Sequence, residues 1–488
     1  MSRQKAGALV SVQVQLQSGQ QYCYSTEGTF MTNYVHSRRA FLATGTTTLS
    51  ALQAWPAIAA TEVAEPPAVT VLNPQLRVPL SFVVDDSTCL VNMGHFCMPQ
   101  FATAWPERNE YKKPWQTWPR EIPDSFVREF GQWCAQHGVK GKYSIVPFPA
   151  CVGWVDRELP GWSQKQLQAS LKLVRELMVP NWDIHPEMIT HTRVIDIKTG
   201  RPMQDINPAT MENSYPRTKK SVDEMAVYLA YALRILKNCG LPCEGVTTPG
   251  GFGNLVKNEL PLAVHEAVRD VSGSELPHYF KYVVNGTESA LPRLEHVRNV
   301  DGSDPKVTVN VPACTGDWFG GWDGDRQSEP DRYANEEGTS GRMVELIKRG
   351  EPAVMLCHWP GMYTQGTKKG FTAFKRVVET LNSRFSDQTI WMKLSEIGRY
   401  WTAKELTRII LVDRKVSFNA PFGTPNFTVR VPGTAATTNA PTLTVENRTV
   451  KLQPVTQTRL LRSGTWHADS KGLIVCFDLP KGVSLIQW

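Results

Sequence analysis

The stretch Pro79-Leu80-Ser81-Phe82-Val83-Val84-Asp85-Asp86-Ser87 decides the reading of this chain. A short apolar run ending on two adjacent carboxylates suits a buried strand that stops where chemistry begins. Downstream, Val354-Met355-Leu356-Cys357-His358-Trp359-Pro360 repeats the pattern with a histidine at the end. Between and beyond them the spacing predicts helices at 123–137, 163–178, 221–238, 343–348 and 371–384. Strands are expected at 143–148, 181–185, near 246–248, 353–357 and 389–393. Strands separated by helices argue for a parallel sheet with helices outside, open or closed into a barrel. In such sheets the chemistry sits on loops at the carboxyl ends of the strands.

After about Trp401 the helical pattern stops and short β-rich runs take over, at 409–412, 427–431, 442–445, 450–455 and 473–477. Their turns are rich in Gly, Pro, Asn and Thr, a spacing expected of a β-sandwich. The expected organisation is therefore an extension and leader over 1–59, an α/β body over 60–402 and a small all-β domain over 403–488.

Four segments at strand ends carry the chemistry. In Asp85-Asp86 one carboxylate could bind a metal while the other takes a proton from water. An N-cap pair opening a helix is the ordinary alternative. Asp183-Ile184-His185-Pro186-Glu187-Met188-Ile189-Thr190-His191 packs two imidazoles and two carboxylates into nine residues. Glu187 and His191 would share a face if that segment turned helically. Such nitrogen and oxygen donors suit zinc or a harder divalent ion. Thr247-Thr248-Pro249-Gly250-Gly251-Phe252-Gly253 is a glycine-rich turn that lets backbone approach a ligand closely. His358, ending an apolar strand, is placed to act as a general acid.

This set, in this order, resembles the polysaccharide deacetylase superfamily (NodB-homology, carbohydrate esterase family 4) over roughly residues 78–401. The resemblance implies an irregular (β/α) barrel and metal-dependent removal of acetyl groups from a carbohydrate. It makes Asp85 the catalytic base, Asp86 a metal ligand and His358 the catalytic acid. His191 matches the second histidine of the family's His-x-x-x-His motif; the first falls on Glu187, with His185 two residues earlier. The third ligand is therefore His185 or Glu187. Asp317-Trp318 resembles the family's Asp-Trp segment loosely, and 390–397 its closing strand and helix. Asp317, Trp318 and Trp359, with Thr248, Gly250, Gly251 and Phe252, are the candidate substrate-binding residues. In the third motif the family's arginine, which orients the catalytic aspartate, is replaced by about Thr247. The implied cofactor is a divalent metal, zinc first, with Co2+, Ni2+ or Mn2+ as alternatives. Hydrolysis of a glycosidic bond or a non-sugar amide on the same fold, and catalytically silent carbohydrate binding, are the competing functions. Trp105, Tyr111, Trp115, Trp118, Trp466 and Trp488 are aromatic candidates for stacking on sugar rings.

Composition bounds the rest. The 488 residues are 41% hydrophobic and 20% charged, which excludes a collagen-like or disordered chain. The 53 Lys+Arg against 46 Asp+Glu give +7, and beyond residue 59 the counts are 49 against 45. A surplus that small and scattered does not point to nucleic acid. After residue 60 no run of about 20 apolar residues could span a membrane.

Residues 37–42, Ser-Arg-Arg-Ala-Phe-Leu, resemble a twin-arginine export signal. A weakly apolar run to Ala54 and the small-residue site Ala57-Ile58-Ala59 complete the pattern. A start at Met31 would make it a conventional leader. Cleavage after Ala59 and a periplasmic or extracellular home are expected. Nine cysteines would remain, and Cys239 and Cys243 are a possible local disulfide in an oxidising compartment.

Overall fold

The computed structural model describes residues 69–433 and 440–488. The expected leader, with Arg38, Arg39 and Ala57–Ala59, lies outside the described residues.

Thr70–Val71 (β1) precedes Val78–Asp85 (β2), which is buried at every residue. A strand covered on both faces needs apolar side chains throughout, hence the unbroken run. Helices Met93–Ala104 (α1) and Asp124–Gln136 (α2) lead to Gly141–Ile145 (β3). Gln164–Leu173 (α3) opens on a capping box between Ser163 and Gln166 and leads to Trp182–Pro186 (β4). A small hairpin, Ile195–Asp196 (β5) and Arg201–Pro202 (β6), comes before Val222–Asn238 (α4). Ser221 and Glu224 cap that helix in the same reciprocal way. Next are Gly245–Thr247 (β7), Leu260–Ser272 (α5), His278–Phe280 (β8), Arg293–Arg298 (β9) and Lys306–Asn310 (β10). Arg342–Arg349 (α6), Ala353–His358 (β11), Trp359–Tyr363 (α7), Lys369–Arg384 (α8), Thr389–Trp391 (β12) and Leu394–Leu406 (α9) complete the α/β part.

The strands form two sheets rather than one closed barrel. One runs β11-β2-β3-β4, all parallel, with β12 paired to the start of β2. The other runs β7-β8-β10-β9, with β9 antiparallel. At one seam a single bridge joins Glu187 to Thr247. At the other, the Cys314 N–H donates to the Val354 carbonyl at 2.9 Å. There the side chains of Cys314 and Thr315 take up Val354 O and Leu356 N, so no ladder continues. Where an irregular (β/α) barrel is expected, the described residues form a mixed α/β architecture of separate sheets with interrupted ladders and no closed barrel.

Outside the first sheet, Phe126 and Phe130 of α2 meet Trp359, Phe371 and Phe374. Phe82 of β2 stacks on Phe374 at 4.5 Å. Inside, Val83, Phe280, Val307, Val309, Val354 and Leu356 form a separate apolar cluster with Leu394 and Ile397 of α9.

The C-terminal strands are Arg408–Val412 (β13), Lys415–Ala420 (β14), Thr424–Val431 (β15), Thr442–Val445 (β16), Arg448–Lys451 (β17) and Gln453–Pro454 (β18). Thr465–Asp469 (β19), Gly472–Leu479 (β20) and Gly482–Gln487 (β21) follow. They make two sheets, β1-β15-β20-β19-β18 and β13-β14-β21-β16-β17, sharing a core in which Phe418 and Phe477 lie 5.3 Å apart. The boundary expected at residue 402 falls inside α9, whose Tyr400 and Ala403 belong to this core. Tyr400 donates to the Leu72 carbonyl at 2.7 Å, and β1 pairs with β15.

Every cysteine of the described residues is a free thiol, Cys239 and Cys243 included, so the local disulfide is not formed. Among the described residues no helix is long and apolar enough to cross a membrane.

Candidate functional site

Because β2 and β11 are parallel neighbours, Asp85 and His358 stand opposite each other in register at the same strand ends. The chain leaves β2 with Asp86 in the left-handed region, φ 57°, which sends its carboxylate a different way from that of Asp85. The segment after β4 is not helical. It is a turn with positive φ at Met188 and His191, which folds His191 back toward Glu187. His191 Nε2 lies 2.9 Å from Asp86 Oδ1 and 3.4 Å from Glu187 Oε1. The Asp86 N–H donates to Glu187 Oε2 at 2.7 Å. All three side chains are buried, and their donor atoms converge within 4.8 Å.

Glu212 builds that turn. Its carboxylate accepts from the N–H groups of Ile189 (3.1 Å), Thr190 (2.9 Å) and His191 (2.6 Å), and from the Tyr228 hydroxyl. Burial pushes its pKa up to about 7 against those hydrogen bonds.

Burial opposes charge at Glu187 and His191, but their oppositely charged neighbours outweigh it. Glu187 is held at about 2 by His191, and His191 is held well above the usual imidazole range by Asp86 and Glu187. The proton on His191 thus occupies a place between two carboxylates that a divalent cation would take. Two carboxylates and one imidazole are a fitting donor set for zinc or a neighbouring divalent ion.

Asp85 has a different partner. Lys142 of β3, fully buried, donates to Asp85 Oδ1 and to Ser144 Oγ, the latter at 2.8 Å. Burial first, then Glu187, raises Asp85 to about 6, while Lys142 and His358 pull the other way. His358 gives its Nδ1 to Asp317 Oδ2 at 2.9 Å, and its own N–H bonds the same oxygen at 3.0 Å. With Nδ1 tied, Nε2 is the ring nitrogen left for a substrate. Burial works against the imidazolium, but the Asp317 hydrogen bond and the Asp86 and Asp85 carboxylates lift His358 to about 9.

A wall of aromatic side chains stands beside His191. Phe101 lies 6.3 Å from its ring, 5.8 Å from Trp105 and 5.5 Å from Trp322; Tyr111 lies 5.8 Å from Trp322. Trp105, Tyr111 and Trp322 are half-buried, leaving ring surface open.

Several expected site residues lie elsewhere. His185 joins Asp183, its same-face neighbour on β4, and His278, Nε2 to Nε2 at 2.9 Å, rather than the Asp86 cluster. Phe252 is fully buried against Tyr215 and Tyr228, and Trp359 against Phe126, Phe130 and Tyr143, so neither ring is open to a substrate. Asp317 serves His358. Trp318 is half-buried under the Arg332 guanidinium, 4.2 Å from its ring. Thr248 is buried and bonds Phe280 O through its N–H, while Gly250 and Gly251 turn beside Asn213. Trp115 packs edge-on to His95, and Trp118 and Trp488 are buried.

No family model and no curated protein matches the chain. Among solved structures it is similar to a mutant of BA3943, described as a CE4 family pseudoenzyme. The identity is 10% and the TM-score 0.27, over 67% of this chain and 69% of that one.

Proposed function

We propose that the protein is an exported, metal-dependent hydrolase that removes acetyl groups from a carbohydrate. The observation that carries this reading is the buried Asp86–Glu187–His191 cluster set beside an in-register Asp85–His358 pair. A pure binding protein has no use for a carboxylate near pKa 6 facing an imidazolium near 9.

Asp86, Glu187 and His191 would hold the metal, which supplies Lewis acidity toward an acyl oxygen and toward water. Asp85 then takes the proton of the attacking water, its carboxylate fixed by Lys142 and Ser144. His358 gives the Nε2 proton to the departing amine or alkoxide, its ring held by Asp317. The Asp85 and His358 values lie on either side of neutrality, so base and acid are both in their working forms there. The half-open wall of Trp105, Tyr111 and Trp322 supports a sugar substrate, whose ring faces stack on indole and phenol. The two interrupted sheets are, on this reading, segments of an irregular barrel of the polysaccharide deacetylase type. The twin-arginine pattern supports passage of a folded, metal-loaded chain to the periplasm or the exterior.

The test is release of acetate from N- and O-acetylated oligosaccharides by the full chain, with and without added zinc. Acetate release that disappears in Asp85→Asn and His358→Gln supports the proposal. Sugar binding with no acetate from any acetylated glycan overturns it.

A further inference from the structure

We propose a second metal site, distinct from the first, formed by Asp183, His185 and His278 and suited to zinc. Asp183 and His185 alternate along β4 and so share a face, and His278 opens β8 two strands away. The His185 ring reaches it by crossing β7 at Gly245: a Cβ there would lie 2.6 Å from His185 Nε2. Only glycine leaves that passage open. The two Nε2 atoms are 2.9 Å apart, and His278 Nε2 is 3.7 Å from Asp183 Oδ2. Both imidazoles are buried to 1% exposure or less.

Outer partners orient the donors as they do around protein-bound metals. His185 Nδ1 is within 3.3 Å of Thr247 Oγ1, which turns Nε2 inward. Asp183 is held by Ser395 of α9, whose N–H and hydroxyl bond its two oxygens at 2.7 and 2.8 Å. His278 Nδ1, the ring nitrogen turned away from the three donors, is buried with no hydrogen-bond partner among the described residues, so His278 is the one ligand without an outer partner. Two imidazole nitrogens and one carboxylate are the borderline-soft set that zinc takes, with a fourth position left for water. Ser395 also lines a cavity of about 210 Å³ with Glu244 and Arg399.

The placement suggests what the ion does. β4 belongs to one sheet and β8 to the other, and the seam between β4 and β7 carries a single bridge. An ion bound by Asp183, His185 and His278 fastens the two sheets where the backbone ladder fails. This inference does not rest on the hydrolase reading, because the first cluster supplies none of its donors.

The test is zinc content and zinc X-ray absorption of the full chain, alongside the Asp86→Asn/His191→Gln double variant. The intact chain is expected to bind about two equivalents and the double variant about one, bound by two imidazoles. Adding His278→Gln to the double variant should remove that equivalent, and stripping zinc from the folded double variant should lower its Tm. One equivalent in the intact chain, with a single imidazole in its absorption spectrum, overturns the proposal. So does a double variant, folded by circular dichroism, that takes up no zinc. If the variants fail to fold, the stoichiometry and ligand count of the intact chain decide.

Discussion

Lys142, fully buried near the start of β3, donates to the buried carboxylate of Asp85 at the end of β2. Parallel pairing sets Lys142 beside Val83 and Ser144 further along the same strand, so the ammonium reaches Asp85 from the neighbouring strand. A buried carboxylate that must give up and accept a proton needs a fixed geometry and a counter-charge.

Lys142→Met should therefore cost stability and change the pH profile together. Breaking a buried ion pair leaves a charge uncompensated, a loss of about 3–5 kcal/mol seen in thermal or denaturant unfolding. Without the ammonium the Asp85 value rises above its present figure of about 6. The base is then protonated at higher pH, so the acid limb of kcat/KM moves to the alkaline side. Lys142→Arg, which keeps the charge, should restore most of the limb's position. An unmoved limb in a folded Lys142→Met protein rules out the role.

On the hydrolase proposal the opposite limb belongs to His358. Asp317→Asn removes the carboxylate that most strongly raises the imidazole above the cost of burial, so the value of about 9 falls. The acid form is then lost at lower pH, and the alkaline limb of the rate profile moves toward neutrality. Measured between pH 6 and 10, a profile identical to that of the parent contradicts the assignment.

Much of this was legible in the residues. The Asp85-Asp86 ending and the histidine after Leu356-Cys357 stand at strand ends because buried parallel strands are uniformly apolar, and a polar break marks their limit. Lys142 and Ser144 were readable in principle as two polar side chains on one face of a strand, but a single lysine there is ordinarily a surface residue. Glu212 carried no signal, since its partners are backbone N–H groups of a turn whose positive φ values no pattern announces. β8, at three residues, is too short for periodicity, and β9 alternates charged residues that read as loop. The choice between His185 and Glu187 turned on direction along β4: with period two both face inward, but only the residue past the strand end bends toward Asp86.

Metal affinity at the first cluster should rise as pH rises. His191 is held protonated between Asp86 and Glu187, and a metal must displace that proton. Titration calorimetry with zinc at pH 5.5, 6.5 and 7.5 is expected to give successively tighter binding and to release protons. Asp86→Asn should weaken binding at all three. Affinity unchanged across that range would contradict a proton on His191.

Glu212 gives the last prediction. Its carboxylate bonds no donor atom of the metal cluster but gathers three consecutive N–H groups and so holds the positive-φ turn at His191. Glu212→Gln keeps the size but turns one acceptor into a donor, so at least one of those N–H groups loses its partner. Loosening the turn misplaces the imidazole, for which outer-partner mutations cost about 10- to 100-fold in metal affinity. Tyr228→Phe removes only the hydroxyl that steadies Glu212 and should cost less. With saturating metal both variants should regain most of their kcat, because Asp85 and His358 stand on other strands. Loss of kcat that excess metal does not restore would show Glu212 acting on the chemistry itself rather than on the turn.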